Sequence, residues 1–280
     1  MSLSNVAIFM GVRNEEERIE NSLKTFTWAD EIYVIDKSST DNTVNIAKKY
    51  ATKVIVVENS NEKRGDEFYK KISNAKWFLF LTASDLITFG LVSEILKITT
   101  NSEFDKDIVG LPFRHYSFGY YSSRSPLYNP TKYLLVRRSA AIVRKYIHGE
   151  VSSSSTKKHI IKTKDSSDAI YHLANPTVDH FIEKTRRYVQ TEKSFGMQKN
   201  YRDSFLNIWK AIWHSFFRKK IFLNGYDGFA LAAASISYKL LTYLSIWEMQ
   251  REKEGISSSA IYADLANKIV NEHDIANQKY

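Results

Sequence analysis

The 280-residue sequence contains no cysteine and only four prolines and ten glycines. Without cysteine the chain can form no disulfide, no zinc–thiolate site and no thiol nucleophile. This absence fits a reducing compartment. Residues 1–17 also carry no basic amino-terminal region of the kind that begins a signal peptide, so we expect a cytoplasmic protein.

Several common catalytic motifs are missing as well. There is no G-x-x-x-x-G-K phosphate loop and no G-x-G-x-x-G after a strand, which removes the main support for a kinase, an ATPase or a dehydrogenase. Neither G-x-S-x-G nor H-E-x-x-H occurs. No nucleic-acid-binding module is recognisable, so we predict no nucleic-acid partner.

The composition is that of a globular chain, with 43% hydrophobic and 25% charged residues. The net charge of +9 comes from dispersed basic residues and favours a nucleotide or an acidic lipid as partner. Aromatic residues make up 14%, which suits a surface for sugars or lipid headgroups. An AT-rich genome accounts for the aromatic content equally well.

Apolar runs of strand length alternate with helical patterns in the first third of the chain. The predicted strands are Val6–Val12, Glu31–Asp36, residues 53–57 and Trp77–Leu81. The predicted helices are residues 16–26, 41–50 and 66–75. This alternation predicts an α/β fold with a doubly wound, mostly parallel sheet.

Polar clusters follow three of these strands, at residues 13–15, 36–38 and 82–85. Because ligands bind beyond the carboxyl ends of the strands in such folds, the clusters predict a site at that edge. Asp36, taken alone, is equally consistent with a ligand to a nucleotide and with a turn residue that caps the next helix.

The remainder of the chain predicts strands at residues 108–113 and 133–138, an aromatic loop between them and a polar loop at 151–164. A helical region follows, with helices at 178–195 and 205–217 and a break at 225–228. We therefore divide the chain into residues 1–175 and a helical extension, 176–280.

An almost continuous apolar helix is predicted over residues 229–247. Its length allows a membrane span, but its small residues and the central Lys239 favour a helix that packs on the domain or lies in the membrane interface. The basic and aromatic stretch 209–222 suits an anionic membrane surface, and a bundle helix with a solvated end is the alternative.

Several segments of the chain form a recognisable set. They are VRNEE at 12–16, WADEIYVIDKSSTDNT at 28–43, the strand at Trp77, HGE at 148–150, YHL at 171–173, RRY at 186–188 and FLNGYDGF at 222–229. Together these segments resemble family 2 glycosyltransferases, over roughly residues 5–250. The branch that is most similar contains the β-glucosyltransferases of the lipopolysaccharide core.

The resemblance implies a GT-A fold and the inverting transfer of a sugar from a nucleotide-sugar, a UDP-sugar above all, to a glycolipid or a cell-surface polysaccharide precursor. It implies a location in the cytoplasm, on the inner face of the membrane. Residues 1–175 would then bind nucleotide-sugar and acceptor, and 176–280 would contact the membrane. The implied nucleotide-sugar ligands are Arg13, Asn14, Glu15, Asp36, Lys37 and Asp85.

The resemblance also assigns catalytic roles. Glu150 is the candidate general base, and His148 would orient the acceptor or contact a phosphate. A loop salt bridge for Glu150 and a packed imidazole for His148 are the structural alternatives. Asp41 matches a family position that reads as a helix cap. The aromatic residues around 118–128 are a candidate acceptor wall, or ordinary packing.

The chain departs from the family at its metal motif. The family ends its fourth strand with Asp-x-Asp, which holds Mg²⁺ or Mn²⁺, whereas this chain has Thr82-Ala83-Ser84 followed by Asp85. Hydroxyl groups bind hard cations less well than carboxylates do. Ser38 also replaces a family glycine, and residues 65–67 differ from the usual Gln-Lys-Asn.

Three explanations stay open. In the first, the donor site binds little metal, and Lys37, Arg64 or Arg137 supplies the positive charge. Alternatively, Asp85 binds a metal together with Asp66 or Glu67. In the third case catalysis is lost, and a degenerate binding or scaffold protein remains. We favour the enzyme.

Overall fold

The computed structural model describes residues 4–57, 66–143, 151–194 and 201–277. The strands are β1 (Val6–Val12), β2 (Glu31–Asp36), β3 (Lys53–Val56), β4 (Trp77–Leu81), β5 (Asp85–Ile87), β6 (Ile108–Ser117), β7 (Tyr120–Tyr121), β8 (Thr131–Arg137), β9 (Ala141–Val143), β10 (Val151–Ser153), β11 (Lys158–Ile160) and β12 (Ile170–Asn175). The helices are α1 (Ile19–Lys24), α2 (Thr43–Ala47), α3 (Asp66–Ile72), α4 (Phe89–Thr99), α5 (Val178–Ser194), α6 (Tyr201–Trp213), α7 (Gly225–Lys253) and α8 (Ser258–Asn277).

The first half of the sheet is parallel, with β1 between β2 and β4 and β3 outside β2. β1 is apolar along its length because both of its faces are covered. Ile8 and Met10 belong to one core cluster, and Ala7 and Phe9 to a second cluster on the opposite face. The predicted strands Val6–Val12, Glu31–Asp36 and Trp77–Leu81 are confirmed to the residue.

The second half of the sheet is mixed. β8 runs antiparallel between β4 and β6, β12 is parallel to β6, and β5 is antiparallel to β12. The pair β6 and β8 is antiparallel, so the chain can join these two strands without a crossover helix. The predicted α/β class, with a GT-A type sheet and a C-terminal helical region, is confirmed.

Two predictions for the second half are wrong. Residues 151–164 are not a plain loop, because β10 pairs with β9 and β11 adds to β6. The chain does not break at 225–228 either, because α7 begins at Gly225, after a 3-10 turn at Ile221–Asn224. A Cβ on Gly228 would lie 2.2 Å from the carbonyl oxygen of Ile221, so only glycine lets this turn pack against the helix.

The helices α5 and α6 both pack against α7. The stretch Ile221–Lys253, which includes α7, is long and apolar enough to cross a membrane by length and composition alone, and 22% of its most apolar window is buried. The domain boundary at residue 175 falls between β12 and α5 and stays a prediction.

Candidate active site

A cavity of about 680 Å³ lies between the carboxyl edge of the sheet and the helices α5 and α7. Its volume is within the range of small-molecule sites. The sheet side is lined by Gly11, Val12, Arg13, Lys37, Thr82 and Ser84. The helix side is lined by Lys184, Arg187, Tyr188, Ala234, Ser235 and Lys239. The edge predicted from the sequence is therefore the edge that carries the cavity.

The wall of this cavity is strongly positive. Among the described residues that line it there is one carboxylate, Glu15, which is already ion-paired with Arg18. Five cationic side chains line the same space: Arg13, Lys37, Lys184, Arg187 and Lys239. Such an imbalance favours an anionic ligand, and it is concentrated at the place where the fold binds ligands.

Lys184 is the cation whose environment is most unusual. Burial lowers the pKa of Lys184 to about 8, with a smaller contribution from the charge of Arg18, and Glu15 opposes the shift. At pH 7 its ammonium group is still mostly protonated. A partly desolvated cation of this kind attracts an anion more strongly than a solvated one does.

The carboxylate of Asp85 is buried and hydrogen-bonded to other residues of the protein. Its side chain is 4% exposed, and it accepts hydrogen bonds from the Thr82 amide (2.7 Å), the Thr82 hydroxyl (2.9 Å) and His172 Nδ1 (2.7 Å). Burial alone would raise the pKa of Asp85, but the hydrogen bond and charge of His172, together with Thr82, hold this pKa below its usual value.

The pairing of two strands produces this contact. Antiparallel pairing of β5 with β12 places His172 directly opposite Asp85. The imidazole of His172 lines the cavity beside His115, with ring centroids 5.0 Å apart. Burial lowers the pKa of His115 to about 3, so this second imidazole is neutral at physiological pH.

The described residues do not fit a divalent cation. Thr82 and Ser84 line the cavity where the family carries its two aspartates. Asp85 could bind a metal only by giving up donors from Thr82 and His172. Glu67 is solvent-exposed and lies 3.9 Å from Lys70, and no group of three His, Asp or Glu side chains suited to a metal occurs in the described part of the chain.

The other nucleotide ligands implied by the resemblance lie at or next to the cavity. Arg13, Glu15 and Lys37 line it, whereas Asn14 lines a neighbouring cavity of about 740 Å³. Asn14 has a φ of 53°, and its Oδ1 accepts a hydrogen bond from the Thr40 amide, which fixes the turn after β1.

Asp36 is fully buried at the end of β2, where its Oδ2 accepts a hydrogen bond from the Ser39 amide at 2.9 Å. The turn role considered for Asp36 is thus present, and its contact with a nucleotide stays a prediction. Asp41 accepts hydrogen bonds from the Thr43 and Glu16 amides, as expected of a residue at a helix start. His148 and Glu150, like Arg64, lie outside the described residues.

Arg137 was one of three sources considered for positive charge at the site, and the structure excludes it. Arg137 pairs in register with Trp77 at the amino-terminal end of β4, which is the opposite edge of the sheet. Its Nε donates a hydrogen bond to Asp107, and its guanidinium lies 4.5 Å from the centroid of the Trp77 ring.

The aromatic segment near residues 118–128 contributes little to the cavity through its rings. Pro126 and Leu127 line the cavity, while Phe118 packs edge-on against Phe181 of α5. Tyr121 packs against Tyr128, with ring centroids 6.0 Å apart. A role as acceptor wall stays a prediction.

Sequence reasoning did not assign Lys184, Arg187 or His172 to the site. Arg187 and His172 belong to the RRY and YHL segments that carried the resemblance. Lys239 interrupts an otherwise apolar run, and a lone lysine in such a run is a signal that a polar space lies beside the helix.

An α/β fold with a cation-lined cavity at the carboxyl edge of the sheet is suited to binding an anionic ligand. Comparison with known proteins gives the class. The profile of glycosyl transferase family 2 matches residues 7–149, which is more than half of the chain. The chain belongs to this family, and sugar transfer is its class of reaction.

Similar curated proteins carry the same class name. An uncharacterized glycosyltransferase of Rickettsia bellii is 25% identical over 240 residues, covering 80% of each chain. One of Rickettsia conorii is 24% identical over 275 residues, covering 92% of this chain and 94% of the other. Residues 1–349 of TarS from S. aureus give a TM-score of 0.43 at 13% identity, covering 89% of this chain and 91% of that chain.

We predict that Asp85→Asn lowers the free energy of unfolding by about 2 kcal/mol at pH 7. The amide NH₂ group would replace a carboxylate oxygen that accepts hydrogen bonds from Thr82 or His172, and two donors would then face each other. The pKa of Asp85 is lower in the folded state, so its stabilising effect is full above a pH of about 4 and disappears as the pH falls through the folded-state pKa. Urea unfolding at pH 7, 5 and 3 measures both effects.

The exposed carboxylate of Asp105, which pairs with Lys106, provides the control. Asp105→Asn should leave the urea midpoint within error at every pH. Equal losses for the two variants would contradict the structural role assigned to Asp85.

Proposed function

We propose that the protein is an inverting glycosyltransferase that moves a sugar from a UDP-sugar or related nucleotide-sugar to a glycolipid or cell-surface polysaccharide precursor. The observation that carries this proposal is the cavity at the carboxyl edge of β1 and β4, where the described lining residues include five cations and a single carboxylate. A nucleotide-sugar is a ligand of the right charge for this wall, because its diphosphate is anionic.

In the reaction, the acceptor hydroxyl oxygen forms a bond to the anomeric carbon. The bond from that carbon to the diphosphate oxygen breaks, and its electron pair stays on the nucleoside diphosphate. The hydroxyl proton passes to Glu150, the base that the resemblance supplies. The cationic wall stabilises the charge that develops on the leaving group.

A tryptophan placed inside the cavity tests whether the donor binds there. Ser235 on α7 lines the cavity, and Ser235→Trp should weaken UDP-sugar binding by at least about tenfold because the indole occupies the ligand's space. Ala233 is exposed on another face of the same helix, so Ala233→Trp is the matched control. Calorimetric titration with UDP-glucose and other nucleotide-sugars measures the binding.

Equal binding by both tryptophan variants would place the donor elsewhere. If the wild-type protein bound none of the nucleotide-sugars, with or without Mn²⁺, the degenerate binding or scaffold role would replace the enzyme.

The second test concerns Glu150. Glu150→Gln should reduce kcat by roughly 10²- to 10⁴-fold while leaving the affinity for UDP unchanged, because it removes proton transfer but not the donor contacts. UDP release in the presence of extracted bacterial glycolipids measures turnover. Glu252→Gln, at an exposed position on α7, is the control, and an equally active Glu150→Gln variant would remove the base assignment.

We also propose that the protein binds peripherally to an anionic membrane, on the cytoplasmic side. The supporting observation is a face of large exposed apolar side chains on α6 and the turn that follows it. Trp209 and Trp213 are each 58% exposed and Phe217 is 67% exposed. Arg218 and Lys220 are exposed next to them, which complements acidic headgroups.

The double variant Arg218→Gln/Lys220→Gln should bind phosphatidylserine vesicles about 30-fold more weakly, since each basic residue near the surface contributes about 1 kcal/mol. The control variant Lys253→Gln/Lys268→Gln removes the same number of charges from two exposed lysines that lie outside the stretch 209–220. Its affinity should stay unchanged. Co-sedimentation with vesicles measures both, and equal losses would show that net charge alone, rather than this face, causes binding.

A further inference from the structure

The cavity lacks the carboxylates that would hold a metal, yet it is rich in fixed positive charge. Thr82 and Ser84 occupy the two motif positions, and the donors from Thr82 and His172 engage Asp85. A leaving nucleoside diphosphate needs its developing charge balanced, and a divalent cation or two monovalent side chains can supply the same two charges.

We propose that Lys184 and Arg187 of α5 take the place of the divalent cation, so that the enzyme binds and releases nucleoside diphosphates without metal. This inference rests on the proposed function. In this arrangement the cations of α5, rather than a metal at the end of β4, neutralise the diphosphate.

The helix presents both cations to the same space. Lys184 and Arg187 are three positions apart, which places them on one face of α5, and both line the cavity. Thr185, between them in sequence, is 2% exposed. The Tyr188 ring lies beside both cations, with Lys184 Nζ and Arg187 Cζ each 5.9 Å from its centroid. Both cations thus lie next to the same aromatic ring in the cavity wall.

Two carboxylates act on Lys184, and each of them is paired with another residue. The charged groups that act on Lys184 are Arg18, Glu15, Arg187 and Asp85. Of the two carboxylates, Glu15 is paired with Arg18 and Asp85 with His172. Among the described residues, neither of these carboxylates is ion-paired with Lys184, which leaves its ammonium group available to an incoming diphosphate.

The burial of Lys184 adds a second consequence. With its pKa near 8, Lys184 begins to lose its proton at a pH where an ordinary lysine is fully charged. The protonated form binds the diphosphate, so UDP affinity should decrease as the pH rises through about 8, the pKa of Lys184. Replacing Lys184 should remove this decrease, because burial raises the pKa of the neighbouring Tyr188 above its usual value of about 10.

Calorimetric titration with UDP, GDP, ADP and dTDP tests the inference, first with EDTA and then with Mn²⁺. We expect EDTA to change the affinity for the preferred diphosphate by less than about twofold. Lys184→Gln and Arg187→Gln should each weaken it by about 10- to 100-fold, the usual effect of losing a charged hydrogen bond. The affinity for the matching nucleoside without phosphate should not change.

Arg186 provides the matched control, because it is a neighbouring cation on the same helix but is exposed. Arg186→Gln should bind diphosphate within about twofold of the wild-type protein, and circular dichroism should show that all three variants are folded.

The outcomes separate the two proposals. Binding that requires Mn²⁺, or equal losses in all three variants, would overturn the role of Lys184 and Arg187 and leave the glycosyltransferase proposal standing. Failure of every diphosphate and nucleotide-sugar to bind, with or without metal, would overturn the donor site itself. Sugar transfer that continues in EDTA and falls in Lys184→Gln would support both.

Discussion

The buried carboxylate of Asp85 is the constraint on which the arrangement of the site depends. A buried, ionised carboxylate is costly unless hydrogen bonds and a nearby positive charge compensate it. The donors come from Thr82, at the end of β4, and from His172 on β12. The contact therefore joins the parallel half of the sheet to the mixed half, across the floor of the cavity.

This use of Asp85 determines what the rest of the site must provide. In a sheet-edge site with free carboxylates, the strand end binds a metal and the metal balances the diphosphate. Here the strand end presents the hydroxyl residues Thr82 and Ser84, and its one carboxylate is engaged. In the metal-free site that we propose, the positive charge comes from side chains, and those on the helix side are Lys184, Arg187 and Lys239.

The difference between what could and could not be predicted from the sequence follows from the range of the interactions involved. Strands β1, β2 and β4 were predicted to the residue because an apolar run buried on both faces is a local signal. Parallel strands end at a common edge, so the placement of Arg13 and Lys37 beside the cavity could also be predicted.

Pairings between distant segments could not be predicted in this way. Nothing local shows that β12 pairs with β5, and hence that His172 engages Asp85. For the same reason Arg137 could not be excluded from the site, because its distance from the cavity depends on β8 running antiparallel to β4. The cavity face of α5 is likewise set by packing against α7.

The absence of aspartates at positions 82 and 84 and the presence of cations on α5 affect the same quantity, the net charge of the cavity. Aspartates at positions 82 and 84 would line the same cavity as Lys184 and Arg187. Without a metal between them, they would attract these cations and compete with the diphosphate for the same positive charge. The hydroxyl residues at the strand end remove this competition. If aspartates stood there instead, their carboxylates would neutralise much of the positive charge on α5. The two features are therefore consistent with a single adaptation of the proposed donor site.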